Sequence, residues 1–204
     1  MQFSVWLTVV SICLLGAMSP GPSVALVLKN TLSGGRKMGM ITAIFHGTAV
    51  GIYALLSVLG LVAIIATAPF LFTGVQWVGA GYLLWLGVQG LRHGGQIISV
   101  EKNIAITALS AARDGFLMAF LNPKAAVFFL ALFSQVVSID TEFSAKILYA
   151  TTAMAIDISW YMVVAWLFSR PLWFRRLSTH TRSIEKIFAW ILLLLAGKIF
   201  YGSL

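Results

Sequence analysis

The chain has 204 residues, 60% of them hydrophobic and only 10% charged, with a formal net charge of +8. A mean hydropathy of +0.95, with far fewer charges than the ~25% of a soluble domain, excludes a water-soluble protein and points to a bilayer. The basic residues are confined to a few loops rather than spread over a polar face, which argues against a nucleic-acid binder. Cys13 is the single cysteine, so neither an internal disulfide nor a cysteine-based metal centre is available.

The first apolar segment covers about 3–28, enough for the ~20 residues of a span. It has no Lys or Arg at its start and is long for a secretory h-region, so it is read as a span rather than a cleaved signal. Ser19-Pro20-Gly21-Pro22 interrupts it. A proline ring collides with the carbonyl one turn back and brings no N–H, so Pro20 and Pro22 free the carbonyls of Gly16 and Met18. Gly21 lets another segment approach the backbone. Read forwards, the same residues start a helix, with Ser19 as N-cap and Pro20 at the first position. Segment one is therefore two half-helices with a joint.

Segment two covers about 38–66 and segment three about 70–91, with Pro69 between them. Gly39, Ala43, Gly47 and Gly51 recur at spacing four in segment two. Such a small-residue stripe suits close internal packing first and a homodimer face second. His46 in the same segment is a candidate for a proton relay, with a hydrogen-bonded packing residue as the alternative. Segment four, about 115–137, has a second joint of the same grammar at Leu121-Asn122-Pro123-Lys124, with Asn122 as cap and Pro123 at the first position. Segment five, about 143–169, holds Asp157 near its centre, and segment six covers about 185–203. Lys198 is expected to snorkel at the outer end of segment six. Trp77, Tyr82, Trp85, Trp160, Tyr161 and Trp166 supply interface anchors, and Trp160 or Tyr161, beside Asp157, is expected to line a cavity instead.

The loops set the orientation. Lys29, Arg36 and Lys37 follow segment one; Arg92, Lys102 and Arg113 follow segment three; Arg170, Arg175, Arg176, Arg182 and Lys186 follow segment five. The second loop is uncharged, and the fourth carries Asp140 and Glu142 before Lys146. Basic loops belong in the cytoplasm, so both termini are expected outside. The fold expected is all-α: one polytopic domain over 1–204 with six transmembrane helices. They form two inverted three-helix repeats, about 1–95 and 110–204, in which helices one and four are broken by proline.

Interrupted helices at matching positions of two halves point to a transporter site, with a pair of ordinary kinks as the alternative. Half-helix N-termini carry partial positive charge and free N–H donors. Two of them facing one cavity make a carboxylate site. Ser19, Pro20, Gly21, Pro22, Ser23, Asn122, Pro123 and Lys124 are the candidate substrate-binding residues. Lys124 is expected to hold a substrate carboxylate, pair with Asp157, or snorkel. A mid-membrane carboxylate is costly and a functional candidate by default, so Asp157, with His46, is the candidate proton-coupling group; pairing with Lys124 or a hydroxyl is its structural alternative.

These residues resemble the LysE/RhtB superfamily of bacterial amino-acid exporters, and the resemblance runs over the whole chain. It rests on Ser19-Pro20-Gly21-Pro22, Gly35-Arg36-Lys37-Met38-Gly39, Gly115-Phe116-Leu117, Asn122-Pro123-Lys124-Ala125 and Val127-Phe128-Phe129 through Gln135-Val136, in this order. The chain departs from the family at Ser23, usually Asn or Asp, and at Ser134, often Pro. The resemblance implies efflux of amino acids across the bacterial inner membrane, driven by the proton motive force, with protons and membrane lipid as partners. Phe128 and Phe129 suit neutral side chains. No cofactor is expected, and one or two acidic groups at depth offer little to a divalent cation. The rival readings are efflux of another solute or a cation by a related carrier, a passive channel, and a membrane-embedded lipid enzyme. The last lacks a His-Glu-x-x-His motif, a nucleophile elbow and a close acidic pair.

Overall fold

The computed structural model describes residues 3–19, 21–93 and 106–169, with further helical positions between 186 and 201. Among the described residues six helices are bounded: α1 (Phe3–Met18), α2 (Pro22–Thr67), α3 (Pro69–His93), α4 (Ala108–Phe120), α5 (Pro123–Phe133) and α6 (Phe143–Phe168). There is no strand among the described residues. Pro20, about half of segment six including Lys198, and the basic residues Lys102, Arg170, Arg175, Arg176 and Arg182 lie outside them.

α2 has 46 residues. A straight helix of that length would measure about 69 Å, more than twice the ~30 Å hydrocarbon core. It is not straight. Gly35 sits at φ 79°, ψ 174° inside it, a left-handed backbone that glycine adopts at no steric cost. Asn30 Nδ2 donates to Thr42 Oγ1 at 2.8 Å, although twelve residues of helix would separate them by about 18 Å. The chain therefore folds back at Gly35. The leg from Pro22 to Gly34 completes segment one, and the leg from Arg36 to Thr67 is segment two. The expected loop is thus a single-residue corner. Arg36 at that corner donates to Ser169 Oγ at 3.2 Å and lies over the Trp166 ring, tying it to the end of α6.

The glycine stripe is an internal seam. A Cβ on Gly51 would meet the Met154 side chain at 2.9 Å, and one on Gly47 the Ile158 backbone nitrogen at 3.0 Å, both on α6. Gly115 of α4 lies on the other side, where a Cβ would meet the Thr42 carbonyl oxygen at 2.5 Å. α2 is therefore clasped between α4 and α6. Trp6 Nε1 donates to Thr152 Oγ1 at 3.1 Å and fixes α1 against α6. Outward faces are apolar, with Leu56, Phe70, Val78 and Trp166 exposed. Among the described residues, three helical stretches are long and apolar enough to cross a membrane: α2, Phe70–Gln89 within α3, and α6. α4 and α5 pass the same test together as a pair bent by 51°.

The two joints differ from each other. At the second, Asn122 caps α5 as expected, its Oδ1 accepting from Lys124 N–H at 2.9 Å, with Pro123 in the first turn. At the first, Ser19 is not the cap. α2 begins at Pro22, and its N-cap is Gly21, in extended backbone at φ 174° with no side-chain cap bond. The physical reason is Pro22, which drives the residue before it out of the α region. Segment four also begins earlier than its apolar run. A Thr107–Ser110 capping box starts α4 ahead of the exposed Arg113–Asp114 pair.

Candidate functional site

One cavity of about 80 Å³ lies where the joints meet. Ser19, Gly21, Pro22 and Ser23 reach it from the first joint, Asn122 and Lys124 from the second, His46 from α2 and Asp157 from α6. Eight of the ten candidate residues thus come together. Pro123 stands behind Asn122, exposed and outside the cavity lining, and Pro20 lies outside the described residues.

On one side, Lys124 Nζ donates to Ser19 Oγ at 2.7 Å. An ammonium group thus sits between the starts of two half-helices. The first-turn N–H groups of a helix lack intrahelical partners, and Gly21 offers no side chain to cover those of α2. In α5, Asn122 already occupies one donor. This side is electropositive, with Ser19 buried and Lys124 half-buried.

On the other side, His46 Nδ1 lies 2.7 Å from Asp157 Oδ2, both residues buried. The proton between them belongs to the pair: Nδ1–H donates to a carboxylate, or a carboxylic O–H donates to Nδ1. Among the described residues, His46 Nε2 is buried without a hydrogen-bond partner. The imidazole meets Tyr161 edge to face, with centroids 4.9 Å apart, and Ser23 sits beside the Tyr161 hydroxyl. Of Trp160 and Tyr161, it is Tyr161 that lines the cavity. The 2.7 Å partner of Asp157 is therefore His46, and neither Lys124 nor a hydroxyl takes that place. His46 is both hydrogen-bonded and part of the cavity wall.

The remaining wall is apolar, built from Val50, Ala119, Ala125, Phe128, Phe129 and Ala153. Sequence reading missed Val50 and Ala153, although each is one helical turn from a candidate, His46 and Asp157 respectively. That i, i+4 relation placed them on the same face. It also missed Gly16 and Cys13, whose signal was their position within two turns before the first joint. Among the described residues no group of three or more His, Cys, Asp or Glu is placed to hold a metal ion.

A bundle of apolar helices with a charged, partly hydrogen-bonded cavity at two helix breaks defines the class of polytopic membrane translocators. The LysE type translocator family model matches residues 14–203, and the chain belongs to that family. The Escherichia coli (strain K12) threonine efflux protein is 29% identical over 190 residues, covering 91% of this chain and 89% of its own. A leucine efflux protein of Klebsiella pneumoniae is 34% identical over 131 residues, 60% of this chain and 58% of its own. The uncharacterized membrane protein YrhP of Bacillus subtilis is 25% identical over 183 residues, 85% and 87% of the two chains. No solved structure gives a significant match.

Proposed function

We propose that this translocator is a secondary exporter of small neutral amino acids, moving them out of the cytoplasm in exchange for protons. The observation that carries this is the polarity of the cavity. Lys124 and two half-helix starts face it from one side, and the buried His46–Asp157 pair from the other. An amino acid has the complementary poles. Its carboxylate fits the electropositive side, and its ammonium group the carboxylate of Asp157. The apolar wall receives an uncharged side chain. Relatives named for threonine and leucine efflux support this substrate class.

The coupling group in this reading is the pair. Asp157 holds a proton or meets the substrate ammonium, and His46 passes the proton on, so the two loads exclude each other. The membrane architecture that goes with it has six spans in two inverted halves in the inner membrane, both termini periplasmic. The contact of Arg36 with Ser169 supports it, because it puts the corner after segment one and the end of segment five at the same level. The test is efflux from cells loaded with dipeptides, which release free amino acids inside. Overexpression is expected to speed the exit of small neutral amino acids and relieve their toxicity. Unchanged exit for every amino acid refutes the reading.

A further inference from the structure

Phe128 is seated on Gly16. A Cβ placed on Gly16 would lie 2.7 Å from Phe128 Cζ and 3.2 Å from both Cε atoms. The ring tip thus fills the notch left by the missing side chain. Phe128 comes from α5, one turn beyond Lys124, and Gly16 from α1, one turn before Ser19, whose N–H bonds the Gly16 carbonyl at 3.2 Å. Both residues line the cavity. The ring therefore crosses from one broken helix to the other at the level where a substrate carboxylate would dock, and walls the space beyond it. Phe129 meets it edge to face, centroids 5.2 Å apart.

We propose that Phe128, held in place by Gly16, is the residue that sets the upper size of the exported side chain. The inference rests on the amino-acid-export reading above and deepens it. The cavity of about 80 Å³ is well under the ~150 Å³ that admits a benzene ring. Because that space must also take the carboxylate and ammonium group, it leaves room only for a small side chain, such as that of alanine, serine or threonine. Longer side chains must displace the ring. The polar contacts stay in place across this series, so the wall sorts by length alone. One methylene in an apolar pocket changes discrimination by about 10- to 200-fold.

The test is binding of graded amino acids, alanine, threonine, leucine and phenylalanine, to detergent-purified protein by calorimetry. Wild type is expected to bind the first two and to weaken steeply after threonine. Phe128→Ala is expected to raise the leucine-to-alanine affinity ratio by at least about tenfold. Phe128→Leu is a milder change that keeps the core filled, and it is expected to shift the same ratio part of the way. Gly16→Ala pushes on the ring and is expected to lower affinity for threonine more than for alanine. If Phe128→Leu and Gly16→Ala change all four affinities in parallel, Phe128 is a packing residue and the proposal is overturned, with the export reading intact. If wild type binds none of the four, the export reading falls and this inference with it.

Discussion

Lys124 Nζ on α5 and Ser19 Oγ before α2 lie 2.7 Å apart, bridging positions 105 residues apart in sequence. The two proline joints are therefore one locus. Neither residue alone explains the arrangement. Ser19 is released from capping because α2 starts at Pro22, and Lys124 follows a capped proline whose helix start is fixed by Asn122. Each joint supplies half of a polar contact inside an apolar protein.

The His46–Asp157 pair is expected to couple flux to protons. Asp157→Asn keeps the shape and removes the titratable proton. Uphill efflux driven by a pH gradient is expected to vanish in proteoliposomes, while exchange of labelled for unlabelled substrate persists. Normal pumping by Asp157→Asn would show that coupling lies elsewhere.

The same pair has a stability signature. Removing one member of a buried charged pair costs about 3–5 kcal/mol, whereas replacing both by apolar residues is often neutral. His46→Leu alone is expected to lower the unfolding temperature in detergent more than His46→Leu with Asp157→Leu. A double variant less stable than either single would mean that the two do not act as a pair.

Glycine contacts rank the packing. Gly115→Ala puts a Cβ 2.5 Å from the Thr42 carbonyl oxygen, a backbone atom that cannot rotate away, so a loss of about 1–3 kcal/mol is expected. Among the described residues, nothing lies within 4 Å of a Cβ on Gly60 or Gly74, and their alanine variants are expected to be neutral or slightly stabilising. Thermal unfolding of the three variants gives the order.

What the sequence made legible was local. Asn122-Pro123 is a cap followed by a first-turn proline, and it folded as that chemistry requires. The glycine stripe declared a close helix contact, and α6 fills it. The first joint misled because two prolines compete for the same position, and the restriction on the residue before Pro22 decides between them. A break between segments one and two was legible, but its tightness at Gly35 was not, because helical residues continue on both sides of it. Asp157 and His46 each stood out as ionisable residues inside apolar segments, but the direct contact between them did not. His46 is 111 residues away, and no periodicity links them. Gly16 and Phe128 carried no signal as a pair, since a notch and the ring that fills it become visible only when α1 and α5 are placed together.

The topology reading expects both termini outside. Alkaline phosphatase fused after Leu204 should be active and a fluorescent protein dark. Bright fluorescence without phosphatase activity would overturn the six-span arrangement.

The joints themselves can be separated from their side chains. Pro123→Ala restores a backbone N–H and favours a more continuous helix through α4 and α5, and Pro22→Ala does the same between α1 and α2. Both blunt a half-helix N-terminus. Lys124→Ala instead removes the ammonium and leaves the break. If backbone donors hold the substrate carboxylate, the proline variants are expected to weaken amino-acid binding by about 10- to 100-fold, the range of one hydrogen bond to a charged group. They should matter far less for the analogue in which the carboxylate is reduced to an alcohol, because it cannot use those donors as an anion does. If Lys124 dominates, its alanine variant shows the larger difference between acid and alcohol. Insertion and monodispersity are checked first, since a joint also shapes packing. Equal losses for acid and alcohol in all three variants would reduce the joints to structural kinks and move the carboxylate site away from Ser19 and Lys124.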